Sequence, residues 1–302
     1  MSEPLPPIPA RDARGHKGTF GTVVVVGGSR GADQRMVGAP ALAALGALRA
    51  GAGLARILAP AGVVEAALTI CPSATGSVLP VDAHGEPEPG EAAAALDACL
   101  AGADALVIGP GLGQGKGRGD LVLRALQQED VPIVADADAL NAMASTPDLF
   151  RDFRARAVLT PHPGEFARLA AALRITHSPT DEHTRPSAAE SLAQRLGCIV
   201  VLKGPGTIVS DGHRTWTCPR GHPCLATAGT GDVLAGVIAG LIAQFAGHAR
   251  APMSLFDAAR LGVQAHACAG EAWAATHGAQ AGLLAQELAQ EIPAQVEALR
   301  AR

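Results

Sequence analysis

The chain has 302 residues, a formal net charge of −4 and 48% hydrophobic residues. A slightly acidic chain lacks the basic field of a general nucleic-acid or membrane-surface binder, and this hydrophobic content suffices for a large core. We therefore predict a protein that acts on a small molecule. Its six cysteines form no Cys-x-x-Cys pair, which favours a reduced, cytoplasmic protein.

The chain begins with a proline-rich segment. We predict an N-terminal tail over residues 1–15 and a single domain over residues 16–302, because no composition shift marks a further boundary. The tail does not resemble a signal peptide, and no apolar stretch is both free of charge and long enough to span a bilayer. We therefore predict no membrane segment.

The first predicted strand covers residues 22–26 and contains four successive valines. Such a run is typical of a strand buried on both faces of a parallel sheet. The glycine-rich segment from Gly27 to Gly31 follows it, but its spacing is not the Gly-x-Gly-x-x-Gly of a dinucleotide-binding turn. A glycine-rich loop over some other ligand stays open as an interpretation.

Strand and helix signals alternate along the rest of the chain, which is typical of an α/β domain with a parallel sheet. Further strands are predicted at residues 54–58, 104–108, 131–135, 157–160 and 198–202, with a hairpin at 208–217. Helices are predicted at residues 38–51, 187–196, 233–242, 261–273 and 283–299, and an exposed loop at 77–90.

Four of these strands end in glycine-rich or polar corners. Ligands of open α/β sheets bind outside the carboxyl ends of the strands, so each corner is a candidate for ligand contact. The corners are Gly109-Pro110-Gly111-Leu112-Gly113, Asp136-Ala137-Asp138, Pro161-His162-Pro163-Gly164-Glu165 and Lys203-Gly204-Pro205-Gly206-Thr207.

Several corner residues have both a functional and a structural interpretation. Asp136 and Asp138 are able to hold magnesium or to cap the next helix, and we favour the cap for Asp138. His162 is either structural or a ligand contact, and its place at a strand end favours the contact. Lys203 is either a phosphate-binding cation or a surface lysine beside a turn. The glycines after residue 109 do not match a Walker A loop.

A glycine-threonine turn, Gly229-Thr230-Gly231-Asp232, precedes an apolar helix of ten residues. The free N–H groups of such a turn and the positive end of the helix dipole favour a phosphate. Asp232 is either a helix N-cap or a base that takes a proton from an attacking hydroxyl. We favour the second interpretation, because the amides and the base together form a phosphoryl-transfer centre.

The segment from Cys218 to Cys224, with His222 between them, is the candidate metal cluster of this sequence. A structural zinc ion needs four ligands in a workable geometry, and the sequence offers no second cluster. We therefore predict no structural zinc.

Six motifs in this order resemble those of the ADP-dependent NAD(P)H-hydrate dehydratases, which belong to the ribokinase-like superfamily. The resemblance implies a three-layer α/β/α fold with a central, mostly parallel sheet. It also implies ADP-dependent dehydration of the S epimer of NADHX and NADPHX to NADH and NADPH, with release of AMP and phosphate. The motifs are His16-Lys17-Gly18-Thr19-Phe20-Gly21, Gly109-Pro110-Gly111-Leu112, Asp136-Ala137-Asp138-Ala139-Leu140-Asn141, Leu159-Thr160-Pro161-His162-Pro163-Gly164-Glu165, Val201-Leu202-Lys203-Gly204 and Ala228-Gly229-Thr230-Gly231-Asp232.

The resemblance also implies which residues bind. It makes Asp232 the catalytic base and implies magnesium to neutralise the phosphates, without assigning a metal ligand. The hydrate-binding positions are Ala39, Gly111, His162 and Asp232. The ADP-binding positions are Lys203, Gly204, Pro205, Gly206, Thr207 and Gly231.

The same resemblance implies a homotetramer. It also implies a functional partner, because family members are often fused behind an epimerase domain that interconverts the R and S hydrates. The sequence leaves no room for such a domain before His16, so we expect a separate NAD(P)HX epimerase.

Two departures from the family pattern concern the loops near the site. His222 and Cys224 stand where related sequences tend to have Asn and Gly. The segment of residues 32–36, ahead of Gly38, is longer than usual. The nearest alternative function is a vitamin or sugar kinase of the same superfamily. A more distant one is a non-catalytic nucleotide-binding regulator that uses the same loops.

Overall fold

A computed structural model describes residues 3–31, 35–246 and 252–300 of the chain. The strands are β1 (Thr22–Val26), β2 (Ser29–Arg30), β3 (Arg35–Met36), β4 (Leu54–Ala59), β5 (Thr75–Val78), β6 (Ala105–Ile108), β7 (Ile133–Ala135), β8 (Ala157–Leu159), β9 (Ile199–Leu202), β10 (Ile208–Ser210) and β11 (Thr215–Thr217). The α-helices are α1 (Gly38–Arg49), α2 (Ala61–Ile70), α3 (Pro89–Leu100), α4 (Lys116–Leu126), α5 (Asp138–Ala144), α6 (Pro163–Leu173), α7 (Arg185–Leu196), α8 (Thr230–Phe245), α9 (Leu255–His277) and α10 (Ala285–Arg300).

Nine of these strands form one sheet in the order β11-β10-β9-β8-β7-β6-β1-β4-β5. The seven strands from β9 to β5 are parallel, whereas β10 runs antiparallel to both of its neighbours. The chain builds outward from β1 to β5 and then returns to the other side of β1 with β6. This reversal is a topological switch point, where open α/β sheets bind ligands.

The sheet lies between two layers of helices. In β1, Val23 and Val25 face the core that contains α1, α2, α8, α9 and α10, whereas Val24 and Val26 face α3 to α7. All four valines are fully buried. The predictions of a strand buried on both faces and of a three-layer α/β/α domain are thus confirmed.

Helix α8 is apolar on all sides because it packs against α1, α9 and the sheet. Its approach to α1 is close: a methyl group on Gly236 would lie 1.9 Å from the carbonyl oxygen of Ala43. Only glycine permits this backbone contact. The packing fixes the position of α8 and therefore of the turn at its N-terminus.

The N-terminal residues that the structure describes pack on the domain. Ile8 is 2% exposed and donates its N–H to the carbonyl of Leu299 at 3.3 Å. The guanidinium of Arg11 lies 3.5 Å from the centre of the Phe20 ring. The boundary after residue 15 stays a prediction, and these contacts show that the segment before it shares the core of the domain.

The burial of Ile8 leads to a stability prediction. Ile8→Ala is expected to lower the free energy of unfolding by about 2–5 kcal/mol, because it deletes buried methyl groups and leaves a cavity. Chemical denaturation measures this change. Leu284→Ala is the matched control, since Leu284 is 57% exposed and its truncation should cost less than about 0.5 kcal/mol. Equal unfolding curves for Ile8→Ala and the wild type would contradict the docked position of this segment.

The structure contains elements that the sequence analysis did not predict. Residues 77–90 were expected to form an exposed loop, but β5 extends to Val78 and α3 begins at Pro89. The glycine-rich segment after β1 forms a short hairpin of β2 and β3, in which residues 32–34 lie outside the described residues. None of the described helices is both long and apolar enough to cross a membrane.

Candidate active site

The predicted corners meet at the carboxyl edge of the sheet, next to the switch point. Asp136 follows β7, Thr160 follows β8 and Lys203 follows β9. The N-terminus of α8 lies against the same edge, since a methyl group on Gly231 would be 3.4 Å from Lys203 Nζ and 3.9 Å from Asp136 Oδ2. The site therefore combines three strand ends with one helix N-terminus.

A buried ion pair lies at the centre of the site. Lys203 Nζ is 2.8 Å from Asp136 Oδ1, and the same oxygen accepts a hydrogen bond from Thr160 Oγ1 at 2.7 Å. The side chains of Asp136 and Lys203 are 2% and 20% exposed. Burial by itself would lower the pKa of Lys203, but the charges of Asp136 and Glu165 outweigh it and raise that pKa. Lys203 is therefore a fixed ammonium group and not a surface lysine.

His162 and Glu165 form a capping box at the start of α6. His162 Nδ1 accepts from the N–H of Gly164 at 2.9 Å, and Glu165 Oε2 accepts from the N–H of His162 at 2.8 Å. Burial lowers the pKa of His162, and the positive charges of Lys203 and Arg168 lower it further. The imidazole is thus neutral with its proton on Nε2, and its side chain is 51% exposed at the edge of the site.

Asp138 does not have the role that we favoured from the sequence. The N-cap of α5 is Ala137, and the Asp138 carboxylate instead accepts from the N–H of Gly113 at 2.8 Å and from Gln114 Nε2 at 2.9 Å. The capping prediction is wrong because the corner after β6 reaches this carboxylate. Asp138 therefore ties the corner of β7 to that of β6.

The turn before α8 presents backbone donors as predicted, with one correction. The N–H of Thr230 is directed at the carbonyl of Thr227, at 3.4 Å, and so is not free. Within the described part of the chain, no acceptor is in hydrogen-bond range of the N–H groups of Gly229, Gly231 and Asp232. Lys203 Nζ lies close to this turn, 3.4 Å from the position of a methyl group on Gly231. A phosphate at the turn would be within reach of both the free amides and the ammonium.

Asp232 lies in the first turn of α8. The N-cap of this helix is Gly229, with φ +90°, so the N-cap interpretation of Asp232 is wrong. Burial raises the pKa of Asp232 to about 7, and the neighbouring charge of Asp136 raises it while that of Lys203 opposes the rise. A carboxylate with a pKa near neutrality is a competent general base.

Ala39 and Gly111 form a second cluster at the same edge. A methyl group on Gly111, with φ +63°, would lie 3.2 Å from Ala39 Cβ and 2.9 Å from Met36 Cβ. The N-terminus of α1 and the corner after β6 are thus in contact. The turn before α8 also contacts α1, since a methyl group on Gly229 would be 2.7 Å from Leu42 Cδ1.

The segment Lys203-Gly204-Pro205-Gly206-Thr207 forms a tight loop after β9. Thr207 Oγ1 donates to the carbonyl of Gly204 at 3.0 Å. Arg185, at the start of α7, donates to the carbonyls of Pro205 and, at 3.3 Å, of Lys203. The guanidinium of Arg185 thus holds the loop through its backbone carbonyls.

Comparison with known proteins identifies the family. A family model described as NAD(P)H-hydrate dehydratase matches residues 23–294, which include every candidate residue above. This chain belongs to the NAD(P)H-hydrate dehydratase family. The resemblance inferred from the six motifs is thereby confirmed.

Curated relatives of this chain are about twice as long. The bifunctional NAD(P)H-hydrate repair enzyme Nnr of Moorella thermoacetica is 38% identical over 291 residues, covering 95% of this chain and 51% of that enzyme. The enzyme of the same name from Escherichia coli is 36% identical over 274 residues, covering 90% and 47%. The chain therefore spans about half the length of these relatives.

Solved structures confirm the fold of this chain. The ADP/ATP-dependent NAD(P)H-hydrate dehydratase of Bacillus subtilis, co-crystallised with ATP and Mg²⁺, has a TM-score of 0.74 at 29% identity, covering 97% of this chain and 95% of that one. A ribokinase-like superfamily protein from Enterococcus faecalis has a TM-score of 0.77 at 24% identity, covering 98% and 93%, a likeness in fold alone. The predicted ribokinase-like class is correct.

Two residues of the candidate site were not predicted from the sequence. Arg185 is one, although a cation at a helix N-terminus is unfavourable and so is itself a signal. His266 of α9 is the other: its Nε2 donates to the carbonyl of Thr230 at 2.9 Å. Burial lowers the pKa of His266 to about 4, so the ring is neutral and supports the catalytic turn through one hydrogen bond.

His222 and Cys224, the first of the two departures from the family pattern, lie in the segment before α8. His222 Nδ1 accepts from the N–H of Cys224 at 3.3 Å and so caps a 3₁₀ turn, Pro223–Leu225. The thiol of Cys224 is buried and donates to the carbonyl of Gly270 at 3.3 Å. The thiol of Cys218 lies 3.6 Å from Gln264 Oε1. These contacts give His222 and Cys224 structural roles in the segment that leads to Gly229.

The raised pKa of the Asp232 carboxyl group predicts how activity depends on pH. Asp232 must be ionised to accept a proton, so kcat/KM should fall as pH decreases through about 7, the value to which burial raises its pKa. The Glu165 charge contributes to that rise. Glu165→Gln is therefore expected to move the acidic limb of the profile to lower pH. A limb that keeps its position in Glu165→Gln would contradict this coupling.

Proposed function

We propose that this chain catalyses the ADP-dependent dehydration of the S epimers of NADHX and NADPHX to NADH and NADPH, releasing AMP and phosphate. The observation that carries the proposal is the placement of Asp232. Its carboxylate, with a pKa raised by burial to about 7, stands in the same turn as the N–H groups of Gly229, Gly231 and Asp232, which have no acceptor among the described residues. The ammonium of Lys203 faces that turn.

The proposed reaction begins with a phosphoryl transfer. The Asp232 carboxylate takes the proton of the C6 hydroxyl, and the hydroxyl oxygen bonds to the β-phosphorus of ADP while the bond from that phosphorus to AMP breaks. The amides of Gly231 and Asp232 and the ammonium of Lys203 stabilise the charge on the moving group. Phosphate then leaves the ring with the C–O electron pair, and loss of the neighbouring ring proton completes the dehydration.

The carboxylates of the site fit magnesium as a second part of the proposal. Asp136, Glu165 and Asp232 face a single ammonium, Lys203, so the ionised site carries excess negative charge of the hard-oxygen type that Mg²⁺ prefers. No group of three potential ligands is assembled within the described ranges. Mg²⁺ commonly binds through one or two carboxylates plus substrate phosphates. Glu165 would hold it together with the substrate phosphates, and it would supply neutralisation of the phosphate charge.

Further proposals concern the oligomeric state, the cellular location and the functional partner of the protein. We propose a cytoplasmic homotetramer that works with a separate NAD(P)HX epimerase, as the family resemblance implies. The curated relatives are named bifunctional repair enzymes and are about twice as long as this chain.

Incubation with enzymatically prepared NADHX, ADP and Mg²⁺ tests the proposed function. The absorbance of reduced nicotinamide should recover, and AMP and phosphate should accumulate in equal amounts. Omission of ADP is the control and should abolish the recovery. A phosphorylated vitamin or sugar product without NADH formation would favour the kinase alternative, and nucleotide binding without any turnover would favour the regulator.

A further inference from the structure

The hairpin of β2 and β3 places two positive charges opposite each other. Arg30 and Arg35 are directly paired in its antiparallel register, so their side chains share one face. Both are exposed. Like charges at directly opposed positions destabilise a strand pair, and neither arginine has a carboxylate within ion-pair distance among the described residues.

A second source of positive potential lies beside this pair. Arg30 Nη1 would be 3.6 Å from a methyl group on Gly62, in the first turn of the ten-residue helix α2. That helix has no acidic residue in its first turn and no side-chain cap. The N–H groups of Ala61 and Gly62 have no acceptor within the described chain. A cation at a helix N-terminus is unfavourable unless an anion lies between them.

The other face of the hairpin contacts the cluster of Ala39 and Gly111, the proposed hydrate-binding cluster. Met36 Cβ would lie 2.9 Å from a methyl group on Gly111, and Ser29 Cβ would lie 3.4 Å from one on Gly113. The arginine face is therefore directed outward from the rim of the cluster formed by Ala39 and Gly111. A dinucleotide whose hydrated ring is bound at that cluster is long enough to extend its phosphates over this rim.

We propose that Arg30 and Arg35, together with the N-terminus of α2, bind a phosphate of the hydrated dinucleotide. Guanidinium groups and free helix N–H groups are the donors that bind phosphate oxygens most strongly. The bound oxyanion relieves the repulsion between the two arginines and the repulsion of Arg30 by the helix dipole. This inference rests on the proposed function. The phosphate is either the pyrophosphate shared by both hydrates or the 2′-phosphate present only in NADPHX.

Steady-state kinetics of Arg30→Ala, Arg35→Ala and the double variant with both hydrates test the proposal. In the double variant, KM for the hydrate should rise at least tenfold, because the loss of even one hydrogen bond to a charged group weakens binding by about that factor. The values of kcat and of KM for ADP should stay near those of the wild type. A rise in KM for both hydrates would show that the arginines bind the pyrophosphate. A rise in KM for NADPHX alone would show that they bind the 2′-phosphate. Arg30→Lys/Arg35→Lys should recover part of the affinity.

Controls separate this proposal from the proposed function. Arg49→Ala removes an exposed arginine at the far end of α1 and should leave KM unchanged. Titration with NADPH, followed by calorimetry, reports binding without turnover: weaker binding by the double variant supports the proposal even if the wild type turns over neither hydrate. An unchanged KM for both hydrates, or a rise in KM for ADP alone, overturns it. The double variant should melt no lower than the wild type, because the arginines repel each other.

Discussion

Replacing Asp232 with asparagine is expected to lower kcat by about 10²–10⁴-fold, the range typical for loss of a general base. The asparagine keeps the size of the side chain but cannot accept the hydroxyl proton. ADP binding, measured by calorimetry, should remain within a few-fold of the wild type, because the amides and Lys203 are unchanged. Asp120→Asn is the matched control, since Asp120 is exposed on α4 and its ion-pair partner within the described residues is Lys116, at 3.4 Å.

The same variant gives a stability result that identifies the cause of any loss. Burial raises the pKa of Asp232 from 3.8 to about 7, so the folded state binds more protons than the unfolded state within that window. The free energy of unfolding therefore falls as pH rises from about 4 to about 7. Above pH 7 the carboxylate is ionised in the folded state as well, and the whole destabilisation is present. Asp232→Asn should thus melt no lower than the wild type at pH 8. Full activity of this variant would contradict the role of Asp232 as the base.

Lys203→Met is expected to destabilise the fold as well as the nucleotide site. It leaves Asp136, which is 2% exposed, without its cation. Removing one partner of a buried pair costs about 3–5 kcal/mol, and the one-fifth exposure of Lys203 favours the lower end of that range. Thermal unfolding should show a fall in Tm of roughly 2 °C per kcal/mol for a chain of this size.

A second substitution separates stability from binding. Asp136→Asn in the Lys203→Met background removes the unpaired charge but still offers an oxygen to the Thr160 hydroxyl, so it should recover more than half of the lost stability. Activity should not recover, because the ammonium is still absent. Lys116→Met, at a lysine side chain that is 92% exposed, is the matched control for the loss of a lysine. A Lys203→Met protein that melts like the wild type would contradict the buried pair.

Local sequence patterns were sufficient for the elements that carry the site. The valine run of β1, the proline-flanked His162 and the glycine turn before α8 each specify burial or backbone geometry within a few residues, and all three were predicted. Elements without such a pattern were missed. Strand β5 is a short edge strand with mostly exposed residues, and α4 begins in a glycine-rich segment that obscures its helical period.

The pairings within the site could not be predicted in the same way. Asp138 was expected to cap α5, but its partners lie about 25 residues away in the corner of a neighbouring strand. Arg185 holds the loop after β9, and His266 supports the turn before α8 from another helix. Each contact depends on which strands are neighbours, and that order reverses at β1.

The sequence by itself determined the polar corners, the glycine turn and the family, because turn geometry and burial are encoded in short runs of residues. Only the tertiary structure decided which charges meet. The ammonium of Lys203 pairs with Asp136 across 67 positions of the chain, and Arg30 comes to lie opposite Arg35 in the pairing of β2 with β3. Electrostatic interactions depend on distance in space and on burial, and both are set by the order of the strands and not by separation along the chain.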